Sequence, residues 1–296
     1  MIVLPPEILD HIFDLVSYTD YNSLGACAKA HPFLSDPAER HIFSDIQVYP
    51  GRSYQRSFNA SELSELFRDK PRRASYVDSL IVEFGPNLGR DNDFLAISSI
   101  VAMVLRLKTI NLKVVGSSRD IAWSEFPTYF RDAFTNCLGW PSMERVFLSG
   151  IVKFPITALD QCTTVSLDGT FDFSNSCSKS YPKLESLSIF NWSGMFPNVT
   201  AWVKKTNLRH LDIRIPIIDE CRTLFQVCPA VTALTLDLGH NRESSHCIYV
   251  FIRSLRILSS PNDPLRRCAS NSLYHRTYSF TPHQSTTIDH LCGHVF

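Results

Sequence analysis

Ligand chemistry in a protein chain comes from a few residue types placed close together, and the densest such group here is Cys268, His283, His290, Cys292 and His294. Thiolate and imidazole groups hold zinc when four of them converge at regular spacing. These spacings are irregular and nothing in the surrounding sequence orders them, so no metal site is expected. Nucleophiles and phosphate cradles have no better support. The 296 residues contain no GxxxxGK, GxGxxG, HExxH or GxSxG segment and no kinase set, which leaves the usual routes to phosphoryl transfer and hydrolysis without a sequence basis. A non-enzymatic protein with no catalytic residue and no cofactor is expected.

Two aromatic-rich stretches, Phe154 to Phe173 and the neighbourhood of Trp192, Phe196 and Trp202, hold material for a pocket lining. Aromatic residues at strand or helix spacing are usually core, and that is the reading adopted. Lys70-Pro71-Arg72-Arg73 has the charge to touch a phosphate, but a solvated turn between a helix and a strand is the simpler reading.

Whole-chain properties narrow the partners. Twenty-nine basic and twenty-nine acidic residues cancel, so no net field draws the protein to nucleic acid or an anionic membrane. With 44% hydrophobic and 20% charged residues the chain can bury a sizeable core. The nine cysteines are scattered, odd in number and never form CxxC, as expected of reduced, mostly buried thiols. The start MIVLPPE lacks the basic leader and apolar core of a signal peptide, and no run approaches the ~18 apolar residues of a membrane span. A soluble protein of the cytoplasm or nucleus is expected. The Asn-x-Ser/Thr matches at Asn59, Asn191 and Asn198 are then chance.

The strongest pattern is a repeated phrase, apolar-x-x-apolar-x-apolar. It occurs as Val77/Leu80/Val82, Leu107/Ile110/Leu112, Met143/Val146/Leu148, Cys162/Val165/Leu167, Leu184/Leu187/Ile189, Leu208/Leu211/Ile213 and Val231/Leu234/Leu236. Successive starts lie 30, 36, 19, 22, 24 and 23 residues apart. Each phrase reads as a short strand with one further inward anchor before it, and a strand so small must stack on others to close a core. The later intervals match leucine-rich repeats, with parallel strands and a returning segment behind each. Asn198 to Val203 and Glu220 to Val227 read as such returns, and the longer early intervals should hold helices over Phe94 to Leu107 and Asp120 to Leu138. Ile248 to Leu258 reads as a helix covering the last repeat, before a polar, histidine-rich tail for which disorder is expected.

Ahead of the repeats stands LPPEILDHIFDLV. Pro5 and Pro6 suit a first helical turn, Glu7 suits the positive end of the helix dipole, and Ile8, Leu9, Ile12, Phe13 and Val16 form one broad apolar stripe. A second short helix runs through Leu24, Cys27 and Ala30, ended by His31-Pro32, and a third turn runs from Asp36 or Pro37 to Phe43. Periodicity alone favours helices packed on a following domain over a docking face; the LPxE start together with the repeats points the other way.

The pattern Leu4-Pro5-x-Glu7-Ile8-Leu9-x-x-Ile12-Phe13, followed by Asp20, Leu24, Cys27 and Arg40-His41-Ile42-Phe43, resembles an F-box. This is the helical module by which substrate receptors dock on the Skp adaptor of cullin-RING ubiquitin ligases. The second helix lacks the aromatic residue usual near its end. Ser61 to Phe84 also resembles the join between box and repeats in fungal F-box proteins. The resemblance implies a Skp-facing role for Leu4, Pro5, Ile8, Leu9, Ile12, Phe13, Leu24 and Phe43.

The expectation is an α/β protein: an F-box-like helical module over residues 1–45, a connecting helix and turn over 46–76, a degenerate leucine-rich-repeat solenoid with a parallel sheet over 77–258, and a tail over 259–296. It would serve as a non-catalytic subunit joining Skp, and through it a cullin, to a protein substrate. The alternative is a leucine-rich scaffold with no ligase role. Solvent-facing Arg209, Asp212, Arg214 and Asp237 are the candidates for touching a substrate.

Overall fold

A computed structural model describes residues 5–19, 21–49, 58–85, 88–117, 120–169, 171–172, 180–190, 196–214, 231–237 and 247–251. Three helices come first, α1 (Pro6–Thr19), α2 (Tyr21–Ala30) and α3 (Pro32–Phe43). Then follow β1 (Asp45–Tyr49), β2 (Phe58–Asn59), α4 (Ala60–Asp69), α5 (Pro71–Ala74), β3 (Ser79–Phe84), α6 (Asp91–Met103) and β4 (Thr109–Val114). Beyond them lie β5 (Ile121–Ala122), α7 (Thr128–Leu138), β6 (Arg145–Ser149), β7 (Ile151–Val152), β8 (Phe154–Pro155), β9 (Thr164–Asp168) and β10 (Phe171–Asp172). The last elements are β11 (Ser186–Phe190), α8 (Phe196–Val203), β12 (His210–Arg214), β13 (Ala233–Asp237) and β14 (Cys247–Phe251).

The architecture is α/β, built on an open ten-stranded sheet in the order β2-β1-β3-β4-β6-β9-β11-β12-β13-β14. Every neighbouring pair is parallel except β13 and β14. All seven phrases fall on strands that follow one another across this sheet. Leu80, Ile110, Val146, Val165, Leu187, Leu211 and Leu234 stand opposite one another in one row. Val82, Leu112, Leu148, Leu167, Ile189, Ile213 and Leu236 form a second row. Because side chains alternate along a strand, the members of both rows from β3 through β12 point to one face, and they are buried.

A third regularity lies in the backbone. The carbonyls of Ser44, Asp78, Lys108, Glu144, Thr163, Glu185 and Arg209 each accept two consecutive N–H groups from the start of the next strand, at 2.8 to 3.1 Å. The turn entering each strand is thereby tied to its neighbour before the ladder begins. The anchors Val77, Leu107, Met143, Cys162, Leu184, Leu208 and Val231 sit just before these amides and are buried.

Ser44 belongs to this series, which exposes an eighth phrase that the sequence reading missed. Phe43, Ile46 and Val48 have the same spacing, Ile46 and Val48 pair with Leu80 and Val82, and all three are buried. The stretch after residue 45 therefore begins with a strand of the main sheet, and only then come α4 and α5. Asn59 is the cap of α4, its Oδ1 accepting from the Ser61 and Glu62 amides at 2.9 and 3.4 Å.

Interval length decides what returns behind the sheet. The 30-residue interval holds α6, and the 36-residue interval holds β5, a 3-10 turn at Trp123–Glu125 and α7. The 19-residue interval has room only for β7, β8 and a 3-10 turn at Ile156–Leu159. Phe84, Phe94, Trp123, Phe126, Phe130, Phe134 and Phe154 fill the widest part, with ring centroids as close as 4.8 Å between Trp123 and Phe154. The aromatic stretches are thus core at Phe154, Phe171 and Trp202, whereas Phe173 and Trp192 lie outside the described residues.

Several element boundaries differ from expectation. The helix placed at Asp120 starts at Thr128, because Pro127 fixes an extended entry and Ile121–Ala122 pairs with Ile151–Val152. The helix placed at Phe94 starts at Asp91, where the Asp93 carboxylate accepts from the Arg90 amide. α3 starts at Pro32 rather than Asp36, since His31 is extended and its Nδ1 accepts the Phe33 amide at 3.1 Å. Ile248 to Phe251, expected in a covering helix, belongs to a strand antiparallel to β13. Alternating branched and aromatic residues suit that strand, which takes up the backbone groups of the β13 edge. The return at Glu220 to Val227 and the tail lie outside the described residues.

Two glycines test the packing with opposite signs. Gly169 has φ +141°, and a Cβ there would run into the Ile151 carbonyl. Gly25 lies inside α2 with nothing near its Cβ position. Gly169→Ala should lower unfolding free energy by on the order of 2 kcal/mol. Gly25→Ala should raise it by about 0.5–1 kcal/mol. Urea midpoints of the two variants would show both shifts.

Candidate docking surface on the N-terminal helices

The three N-terminal helices have a small core of their own, made by Leu9, Phe13, Leu24 and Ala38 with Val16, Cys27, Ala28, Leu34 and Ile42 around it. Leu9, Phe13 and Val16 follow i, i+4, i+7 spacing, so one side of α1 faces α2 and α3. A second apolar line, Ile8, Ile12 and Leu15, has the same spacing one residue earlier, which rotates it by about 100° around the helix. It faces outward: Ile8 is 48%, Ile12 40% and Leu15 57% exposed. Phe33, in the first turn of α3, is 48% exposed. Half of the eight large hydrophobic residues exposed among the described residues lie on these helices.

The expected adaptor-facing set therefore divides. Pro5, Ile8 and Ile12 are on the surface, while Leu9, Phe13 and Leu24 are turned into the helical core. Phe43 belongs to the main core, stacked on Phe58 at 5.9 Å and edge-on to Phe67 at 6.1 Å. Leu4 lies outside the described residues. Leu15 and Phe33 are the surface residues that the sequence reading did not select. The period of α1 could have pointed to Leu15, but nothing local distinguishes Phe33.

Acidic and imidazole groups lie on the flank of this surface. His41 of α3, largely buried, has Nδ1 3.3 Å from Asp14 and Nε2 3.9 Å from Asp10, both on α1, and its ring lies 5.9 Å from that of Phe13. At the other side, α3 meets α5 through a polar cluster. Asp36 accepts from the Tyr76 hydroxyl and pairs with Arg72 and with Arg40, the last at 3.0 Å. Glu39 receives both the Nε and a terminal nitrogen of Arg73, whose guanidinium also lies 5.2 Å from the centre of the Phe43 ring. The Lys70–Arg73 stretch is thus a contact between modules, not only a solvated turn.

Partial burial works against the Asp36 carboxylate, but the Tyr76 hydrogen bond and the Arg72 and Arg40 charges outweigh it and hold its pKa below the ordinary value. Burial, then the neighbouring Asp36, pushes the Tyr76 hydroxyl up.

The opposite candidate surface is the other face of the sheet. The helices bury their apolar sides against the inward rows, in one core. Alternate positions, among them Ile81, Asn111, Phe147, Ser166, Ser188 and Asp212, are half-buried. Asp212 sits there between Ser188 and Thr235, and Arg214 pairs in register with Asp237 one step further along. The side chains of Arg214 and Asp237 lie outside the described residues. Arg209 is exposed at the opposite end of β12, in the turn whose carbonyl receives Thr232 and Ala233, so the four candidates do not converge.

Chemistry elsewhere is muted. Cys137 and Cys162 are buried and their thiols are pushed up to about 12, chiefly by that burial, which disfavours the reactive thiolate. Among the described residues no group of His, Cys, Asp and Glu could hold a metal ion, and no helix is long and apolar enough to cross a membrane.

Two tests follow from this division. Ile8→Asp with Ile12→Asp should change stability by less than about 1 kcal/mol, whereas Phe13→Asp should cost about 4 kcal/mol and melt the helices, as read by circular dichroism and urea titration. Asp36 stabilises the fold fully above the ordinary aspartate value of about 3.9, and this contribution is lost as pH falls through its lower folded value. Asp36→Asn should therefore be less stable at neutral pH and lose less between pH 5 and about 2 than the wild type, measured by urea midpoints.

No protein-family model matches the chain, and no curated protein matches it.

Proposed function

We propose that the chain is the substrate-recognition subunit of a Skp-cullin-F-box ubiquitin ligase, with α1 to α3 as its F-box and the parallel sheet as a degenerate leucine-rich-repeat solenoid. The observation that carries this reading is the outward line of Ile8, Ile12 and Leu15 on a helix whose other line, Leu9 and Phe13, already closes a core. A helix that needed only to cap the following domain would have no use for the outer line. A helix that docks in the apolar groove of a partner requires it.

The sheet supports the second half of the reading. Strands stacked in chain order, with return segments of variable length behind them, leave the alternate positions on the front of the sheet free to vary without disturbing the inward rows. That is a surface suited to recognising a protein, and the substrate would meet it there or on its bordering loops. Transfer of ubiquitin would be the work of the other subunits, in the cytoplasm or nucleus.

Co-expression with a fungal Skp adaptor and pull-down tests the reading directly. Wild type should retain the adaptor, and Ile8→Asp with Ile12→Asp should lose it while keeping the same urea midpoint. If a folded wild type retains no adaptor, the leucine-rich scaffold reading replaces this one.

A further inference from the structure

We propose that Ser75 is a phosphorylation site, used by a serine/threonine kinase that selects paired arginines ahead of its acceptor. The proposal stands on the turn between α5 and β3 and is independent of the ligase reading.

The sequence supplies the recognition pattern. Arg72-Arg73-Ala74-Ser75 is the single place in the chain where two arginines stand third and second before a serine or threonine. A kinase that selects this pattern holds the guanidiniums against its own carboxylates, which sets the hydroxyl at the γ-phosphate of ATP. The other arginine pair, Arg266-Arg267, is followed by Cys268 and Ala269 and has no hydroxyl at the corresponding position.

The fold leaves the acceptor in solvent. Ser75 is exposed just past the four-residue α5, where its amide and its hydroxyl both donate to the Arg72 carbonyl, at 3.1 and 2.7 Å. The Arg72 side chain is 69% exposed, although it pairs with Asp36 and its guanidinium lies 5.8 Å from the centre of the Tyr76 ring. Arg73 is only 16% exposed, in its pair with Glu39. A kinase therefore meets Arg72 directly and reaches Arg73 when α5 opens. A single helical turn is held by its surroundings more than by its own hydrogen bonds, and the one buried side chain of α5 is the methyl group of Ala74. The contact that opposes opening is the Arg73–Glu39 pair, so Glu39 governs the rate.

In the transfer, Ser75 Oγ bonds to the γ-phosphorus of ATP and the bond from that phosphorus to the β,γ-bridging oxygen breaks. ADP leaves, and the hydroxyl proton passes to the kinase's catalytic carboxylate. The ester oxygen has no proton to donate to the Arg72 carbonyl, and the new charge faces the carbonyls that end α5. The phosphate turns instead to the Arg72 guanidinium, three residues earlier on the same side of the turn. Asp36 then shares Arg72 with a stronger anion, which loosens one of the contacts that hold its carboxyl below the ordinary range.

The test uses the folded full chain, magnesium-ATP and the catalytic subunit of cyclic-AMP-dependent protein kinase, with phosphate located by mass spectrometry of proteolytic fragments. Wild type should take up phosphate on Ser75, and Ser75→Ala should take up none on that fragment. Arg72→Ala should slow uptake roughly tenfold, and Glu39→Gln, which frees Arg73, should speed it several-fold. If Glu39→Gln does not fold, as read by circular dichroism, Asp36→Asn, which frees Arg72, should speed uptake in its place. Phosphate found only on serines of residues 259–296, labelling of Ser75 only in a chain already cut by protease, or an unchanged rate in Arg72→Ala overturns the proposal. Because no adaptor is present, either result leaves the ligase reading to its own pull-down.

Discussion

Seven strands of this protein, β3, β4, β6, β9, β11, β12 and β13, enter the sheet through two amides that share one carbonyl of the turn leading into the neighbouring strand. That arrangement sets the stagger of these seven strands, since a shift of one residue would send the inward row outward and break both bonds at once. Only two things must then be repeated by the sequence: an anchor before the turn, and two inward residues after it. Everything between strands is free in length, provided it returns over the same back surface. Intervals from 19 to 36 residues therefore coexist in one continuous core, closed behind by helices where there is room and by a 3-10 turn where there is not.

The N-terminal helices obey a different economy. Their private core holds four fully enclosed side chains, too little for three short helices to stand alone. Their stability is borrowed from the sheet by way of α3, and the borrowing is visible in Ile42 and Phe43, which pass the apolar contact from one core to the next. A module held in this way can leave an apolar line of α1 in solvent because its folding does not depend on covering it.

What was legible in the sequence was the part governed by period. The seven phrases and their strands could be read because inward positions on a one-sided sheet must alternate, whatever else the chain does. The eighth, Phe43/Ile46/Val48, was hidden because its anchor lies in a helix that already had an explanation. Pro127 and the Ile121–Ala122 pairing were missed for the opposite reason: Trp123, Phe126, Phe130 and Phe134 fit a helical stripe, and only the fold places the first two ahead of the helix. The Asp36–Tyr76 and Glu39–Arg73 contacts join residues 40 and 34 positions apart, and no local pattern announces a pairing of that kind.

The division of α1 is where sequence reasoning meets its limit and the structure carries the argument on. Five apolar residues over nine positions make a stripe wider than one helix contact, and periodicity cannot say which half is buried. Packing against α2 and α3 selects Leu9, Phe13 and Val16, because these meet Leu24 and Ala38, and leaves Ile8 and Ile12 with Leu15 beyond their reach. The outer line is then a property of the folded module, with the acidic Asp10 and Asp14 beside it turned toward His41.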